Sequence, residues 1–140
     1  MALITFEDLP STNTPINASN LNNNFSELTP VLLHSGASQN VTLSDDISNY
    51  KYIEITYGND WLVCGSVKIP AQSTNLCFRV QNGYGSNLAL NDNIGYYVIN
   101  HNYIAQGNTD RSRYIEYSSS GNYTITRANN VFIWTVIGYK

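Results

Sequence analysis

Two glutamates lie in the middle of strongly β-patterned runs, Glu54 in "YKYIEITYG" and Glu116 in "SRYIEYS". A pair of carboxyl groups roughly 5 to 10 Å apart could cleave a glycosidic bond, one acting as acid and the other as base or nucleophile. The register of the strands does not follow from the sequence, and two solvated, outward-facing glutamates are the simpler interpretation. We therefore predict a non-enzymatic protein with no catalytic residues, and keep a carbohydrate-active enzyme as an alternative.

Metal-ligand chemistry has little support in the sequence. His34 and His101 are too far apart to form an H-x-x-x-H pair. Asp45-Asp46 and residues 91–93 offer oxygen atoms for calcium, but neither stretch has the spaced ligands and the glycine of an EF-hand loop. We predict no metal site and no cofactor.

The two cysteines, Cys64 and Cys77, fall in separate β-patterned runs. Two thiols are too few for a disulfide framework or for a structural zinc site. We expect buried thiols, and whether the two cysteines pair is left open.

Aromatic side chains suited to recognition are abundant, since the chain has 11 Tyr and 2 Trp interleaved with Asn, Ser and Gly. Tyr and Trp provide broad, stiff contact area, and Asn and Ser add adaptable hydrogen bonds. Three aromatics lie at predicted turns, where binding residues concentrate. The candidate binding residues are Trp61 after Gly-Asn-Asp, Tyr84 between two glycines, and Tyr103 in "NHNYIAQGNTD".

The elements that must position these residues are β-strands. From residue 31 onward, short runs rich in β-branched and aromatic residues alternate with turn residues, and eight to ten strands are expected. The closing run "VFIWTVIGYK" is apolar on both alternate faces, which is typical of a central strand, and strict alternation puts Ile133 and Val136 on opposite faces. We predict an all-β, antiparallel β-sandwich of jelly-roll-like form.

The first 30 residues have a different pattern. A short α-helix from about Asn17 to Leu28 is expected, with a hydrophobic stripe along it. An isolated helix of this length is marginal in water, so the stripe must pack on the body or on another subunit. We therefore predict an attachment or oligomerisation segment at 1–30 and a β-sandwich head at 31–140, with the stripe formed by Ile16, Leu21, Phe25 and Leu28.

Composition limits the partners. The chain of 140 residues has the size of one ordinary domain, and only 12% of its residues are charged. A net charge of -3 with seven Lys plus Arg does not supply the basic surface of a nucleic-acid-binding protein. Because no apolar run approaches roughly 20 residues, we also expect no membrane insertion.

Two stretches resemble a known class of proteins. The lead-in "ITFEDLPSTNTPINASNLN", with its phrase T-P-I-N-A-x-N-L-N, resembles the N-terminal attachment segment of tailed-phage and prophage structural proteins. "VTLSDDISNYKYIEITYG" and the terminal "VFIWTVIGYK" are similar to the opening and closing strands of the C-terminal domain of tail-fibre or receptor-binding proteins.

The resemblance implies a virion component that is assembled in the bacterial cytoplasm and is most often a homotrimer. It implies contacts with other tail, baseplate or capsid proteins and binding of host-surface carbohydrate or protein by the β-domain. Receptor-binding fibres often have a long shaft, and only a few residues separate the two regions here. A head-fibre, baseplate or adaptor subunit with a structural role is therefore the alternative.

Overall fold

The computed structural model describes residues 29–84, 89–117 and 120–140, together with Asn22 and Phe25. At 82–84 and 89–91 the description is of the backbone. Within these ranges the chain forms ten β-strands and two short 3₁₀ helices, at Ile47–Asn49 and Thr109–Arg111. The strands are β1 (Val31–Ser38), β2 (Val41–Thr42), β3 (Tyr52–Gly58), β4 (Val63–Pro70), β5 (Asn75–Tyr84), β6 (Ala89–Asn100), β7 (Tyr103–Gln106), β8 (Arg113–Tyr117), β9 (Tyr123–Thr126) and β10 (Phe132–Tyr139).

The strands form two antiparallel sheets. The first sheet has the order β1-β10-β3-β4. In the second sheet, β5 pairs with one edge of the long β6, and β7 and β8 pair with the other edge. β2 extends this sheet beside β7, and β9 extends it beside β8. The prediction of an all-β protein with antiparallel sheets is confirmed.

The two sheets share one hydrophobic core. On β3, Ile53 and Ile55 are fully buried because alternate residues of a strand point to the same face. The ring of Tyr57 on β3 lies 4.4 Å, centroid to centroid, from the ring of Phe78 on β5. Phe78 in turn meets the buried ring of Tyr97 on β6 at 5.5 Å. Since side chains from both sheets interdigitate, the arrangement is sandwich-like.

The closing strand β10 lies between β1 and β3, so its predicted central position is confirmed. The predicted strict alternation along it is wrong, because Ile133 pairs with Tyr57 and Val136 pairs with Ile55, and these two residues lie on the same face of β3. The register with β3 shifts between Ile133 and Thr135, which oppose Tyr57 and Thr56. One extra residue in a bulge reverses the phase of the strand, so two residues of opposite parity reach the same core.

The predicted N-terminal helix is not shown. Ile16, Leu21 and Leu28 lie outside the described residues, and Phe25 is exposed over 64% of its surface. The continuous described range begins at Thr29, and β1 begins at Val31. The helix, the stripe and the division at residue 30 remain predictions. No helix in the ranges that the structure describes is long and apolar enough to cross a bilayer.

Candidate functional site

The β3–β4 loop, residues 59–62, presents two large apolar side chains to solvent. Trp61 is 80% exposed, and Leu62 beside it is 62% exposed. Single exposed apolar residues are common on proteins, but a tryptophan next to a leucine at the end of a hairpin gives a compact apolar projection. We call the four residues of this loop the Trp61 loop.

Hydrogen bonds fix the backbone of the Trp61 loop. The side-chain Oδ1 of Asn59 accepts the backbone N–H groups of Trp61 at 2.8 Å and Leu62 at 2.6 Å. The N–H of Asn59 donates to the carbonyl of Leu62 at 3.0 Å. From β10, the indole N–H of Trp134 donates to the carbonyl of Asn59 at 2.9 Å. The asparagine side chain thus mimics a backbone turn, and Trp61 is held out by a preformed loop.

Gly58 allows the chain to close this loop tightly. A Cβ atom at position 58 would overlap with the carbonyl oxygen of Leu62, which is backbone and cannot rotate away. Glycine is therefore required where the two strands of the hairpin approach each other.

Tyr84 and Tyr103, the other two predicted binding residues, are not part of the Trp61 loop. Tyr84 ends β5, and its side chain lies outside what the structure describes. Tyr103 begins β7, is 41% exposed, and its hydroxyl accepts the Nδ2–H of Asn100 at 3.0 Å.

Strand directions place Trp61 and Tyr103 at opposite ends of the sandwich. β4 starts at the Trp61 loop and runs to Pro70 at the other end. The turn 71–74 leads into β5, whose first residue Asn75 pairs with Val98, close to the turn that precedes Tyr103. The two aromatics cannot contact one small ligand.

The Tyr103 end contains a depression, which we call the recess. Its first part is a cavity of about 260 Å³ with a floor of Ile47, Ala71 and Ile99. Polar side chains form its rim, among them Gln72, Asn100 and His101. The second part is a polar cavity of about 520 Å³, and Ser48 and Gln72 line both parts. The second part is also lined by Asp45, Tyr50, Lys51 and Lys140.

The 3₁₀ helix Ile47–Asn49 separates the two parts of the recess. Asp46 caps it, since its Oδ1 accepts the N–H of Ser48 at 2.8 Å. The N–H of Ile47 donates to the carbonyl of His101 at 2.8 Å, and Nδ1 of His101 lies 3.3 Å from Asp46 Oδ1. The Ser48 hydrogen bonds hold the pKa of Asp46 below its usual value, with a smaller effect of His101.

Tyr50 lines the second part of the recess. Its hydroxyl donates to Asp45 Oδ2 at 2.9 Å, which holds the pKa of the Asp45 carboxyl below its usual value. Burial, and then the Asp45 hydrogen bond, raise the pKa of Tyr50 to about 12. The tyrosine therefore stays protonated and donates over the whole physiological range.

The glutamates considered for catalysis lie in different sheets, Glu54 on β3 and Glu116 on β8. Glu54 accepts a hydrogen bond from the hydroxyl of Tyr139 at 2.6 Å, and Lys68 on β4 is its partner in the strand register. This hydrogen bond raises the pKa of Tyr139. In the described part of the chain, no three His, Cys, Asp or Glu side chains come together as a metal site would require.

The expectation of buried cysteines is wrong, because Cys64 and Cys77 are both exposed and form no disulfide. Cys77 precedes the buried Phe78 on β5, so strand alternation turns its side chain outward. Cys64 lies near the Trp61 loop, where its thiol donates to the carbonyl of Leu62 at 3.5 Å.

The edge strand β9 is exposed, which its sequence pattern does not predict. All four residues of β9 are exposed, including Tyr123 at 64% and Ile125 at 54%. The rings of Tyr123 and Tyr117 on β8 are 6.1 Å apart. The alternating pattern "NYTITR" predicts a strand, but it does not show that both faces of this strand are exposed.

The sequence matches no protein-family model, and no curated protein is significantly similar to it. The functional proposal therefore rests on the residues and geometry of this chain.

Proposed function

We propose that this chain is a non-enzymatic phage virion structural protein of the tail-fibre or receptor-binding type, which binds host-surface carbohydrate or protein through exposed loops. The observation that carries the proposal is the exposed Trp61 on a loop whose backbone is fixed by hydrogen bonds. Its support from the sequence is the resemblance of the lead-in and of the first and last strands to such proteins.

The Trp61 loop has the properties of a binding hot spot. Tryptophan is enriched among residues whose truncation costs most of the binding energy, and it contributes large area with only two rotatable bonds. Asn59 and Trp134 already hold the loop backbone, so little entropy is lost when a ligand orders it. The site is therefore preorganised for an apolar or aromatic-stacking contact.

The jelly-roll-like form of the sandwich belongs to the same proposal. β1 and β10, the first and last strands, are neighbours in one sheet. β2, which follows β1, lies in the other sheet, and β3 returns to the first. Crossing between sheets in this way, with the chain ends paired, is typical of folds of this kind.

The structural alternative is a head-fibre, baseplate or adaptor subunit, and β9 favours it. The edge strand β9 is exposed along its whole length, including Tyr123 and Ile125, and is a surface that a neighbouring subunit could cover. A carbohydrate-active enzyme is the weaker alternative, since Glu54 and Glu116 lie in different sheets.

Binding of the full chain to a panel of bacterial cells and isolated surface polysaccharides tests the proposal. The Trp61→Ala variant should lose about tenfold or more in affinity, as expected for a hot-spot aromatic. Tyr52→Ala is the matched control, because Tyr52 is also an exposed aromatic, 47% exposed, at the opposite end of β3. Binding that is absent in the unchanged protein, or equal in Trp61→Ala, would contradict the proposal.

A homotrimer is the proposed assembly, with the stripe of Ile16, Leu21, Phe25 and Leu28 packing between subunits. Sedimentation equilibrium of the full chain should give three times the monomer mass of 15.6 kDa. Phe25→Asp should shift the protein towards monomer, because a charge in an apolar interface is costly to bury. A monomeric full chain would exclude the trimer.

A further inference from the structure

The recess combines an apolar floor with polar groups that have unused hydrogen-bonding capacity. Ile47, Ala71 and Ile99 are each at most 5% exposed and form a firm floor. Above it, the Gln72 amide makes no hydrogen bond within the part of the chain that the structure describes. The first cavity, about 260 Å³, is close to the lower limit of small-ligand sites, roughly 300 Å³.

The shape and chemistry of the first cavity suit a single sugar ring. A pyranose has an apolar C–H face, which fits the floor, and a rim of hydroxyl groups that both donate and accept. Amide side chains such as Gln72 and Asn100 also do both. Asn100 is held in place, because its Nδ2 donates to Tyr103 and its Oδ1 accepts the N–H of His101 at 2.8 Å.

Two lysines line the second cavity. Of the seven Lys and Arg, five contact an anion, a carbonyl or an aromatic ring. Lys51 and Lys140, the remaining two, form no ion pair with any described residue, and both line the second cavity. The carboxylate of Asp45 accepts hydrogen bonds from Tyr50 and from the Asn49 amide and keeps its negative charge, so the side chains that line the second cavity carry a net charge of +1. Within the part of the chain that the structure describes, no anion pairs with either ammonium group, so both can meet an external anion.

We propose that the recess binds an anionic saccharide unit. The sugar ring lies on the floor of Ile47, Ala71 and Ile99, and its acidic group reaches the ammonium groups of Lys51 and Lys140. Ser48 and Gln72 line both cavities and connect the two halves of the ligand. The acidic group is either the carboxylate of a uronic acid or a phosphate ester on the sugar. This site does not depend on the Trp61 loop, which lies at the other end of the sandwich.

Amide chemical-shift titration of the ¹⁵N-labelled full chain tests the site with four probes: glucuronate, glucose 6-phosphate, glucose and inorganic phosphate. We expect at least one anionic sugar to shift the amides of Ser48, Gln72 and His101 and to bind more tightly than glucose. Shifts with glucuronate alone identify a carboxylate ligand, and shifts with glucose 6-phosphate alone identify a phosphate ester. Shifts with both anionic sugars also support the proposal.

The Lys51→Gln variant separates the charge from the sugar contact. It should weaken binding of the anionic sugar about two- to fivefold, the size expected for an exposed charge pair, and leave glucose unchanged. Lys68→Gln is the matched control, because Lys68 is an exposed lysine whose ammonium group lies over the ring of Tyr139.

Three results would overturn the proposal. Equal affinity for glucose and both anionic sugars would exclude the anionic group, and phosphate binding as tightly as glucose 6-phosphate would exclude the saccharide. The absence of shifts at the recess with all four probes would exclude the site. A failure of the Trp61 proposal leaves these readouts unaffected, since they report on amides at the opposite end.

Discussion

The two ends of the sandwich present opposite surfaces. At one end, a closed hairpin loop exposes the large apolar side chain of Trp61 to solvent. At the other end, three connections leave a polar recess with an apolar floor. Both ends are built on the same core, yet both are shaped by local hydrogen bonds rather than by apolar burial.

The difference lies in which groups supply those hydrogen bonds. The Trp61 loop is held by the neutral amide of Asn59 and the indole of Trp134. The recess is held by carboxylates, with Asp46 capping the 3₁₀ helix and Asp45 accepting from Tyr50. A sandwich can therefore vary its two ends independently, and the ends should respond differently to mutation and to pH.

The largest effect should come from the shared core. Ile55→Ala removes a fully buried side chain and should lower the free energy of unfolding by about 2 to 5 kcal/mol. Urea unfolding followed by amide signals from both ends should show one coincident transition, shifted equally. The exposed Ile125→Ala is the control, with a change below about 0.5 kcal/mol. Separate transitions at the two ends would show that they do not share one core.

Gly58→Ala should act on one end. The new methyl group meets the carbonyl of Leu62, so we expect a loss of about 1 to 3 kcal/mol and displacement of the Trp61 loop. Amide chemical shifts of residues 59–63 should change, whereas those of Ser48 and His101 should not. Changes of similar size at the recess would contradict the independence of the two ends.

Asn59→Ala should have a smaller effect at the same place. It leaves the N–H groups of Trp61 and Leu62 without their acceptor, at a cost of about 0.5 to 2 kcal/mol. Faster hydrogen exchange of these two amides is the readout. Asn59→Asp keeps the acceptor oxygen and is the matched control, in which exchange should stay slow. Equal exchange in the two variants would show that the side chain does not hold the loop.

Acid should loosen the recess before the Trp61 loop. The folded-state pKa values of Asp45 and Asp46 lie below the usual value of 3.8, so their stabilising contribution is present above that pH. The contribution is lost as the pH falls through the lower folded values. The Ser48 amide should therefore exchange faster on acidification below about pH 4, while the amide of Leu62, bonded to a neutral side chain, should not. A parallel change at both amides would contradict the assignment.

Local patterns in the sequence predicted the strands and the Trp61 loop, because both depend on neighbouring residues. The Gly-Asn-Asp turn is local, and Asn59 bonds only two and three positions ahead. The β10 bulge escaped prediction, because it depends on which residues of β3 lie opposite. The recess could not be predicted either, because its walls come from parts of the chain that are distant in sequence: residues 45–51, 71–74 and 99–101 and Lys140.

For the candidate binding residues, too, local properties could be predicted and relative positions could not. Trp61 and Tyr103 are aromatic residues near predicted turns, and the exposure of each is as expected for such positions. Their separation at opposite ends required the topology. The exposure of Cys64 and Cys77 was missed because an isolated thiol in a β-patterned run does not show which face it occupies.

The most direct test of the central claim compares Trp61→Ala and Tyr52→Ala in binding to bacterial cells and their surface polysaccharides. If the Trp61 loop is the attachment surface, Trp61→Ala loses about tenfold or more in affinity, and Tyr52→Ala keeps the affinity of the unchanged protein. Equal binding by both variants would contradict the claim.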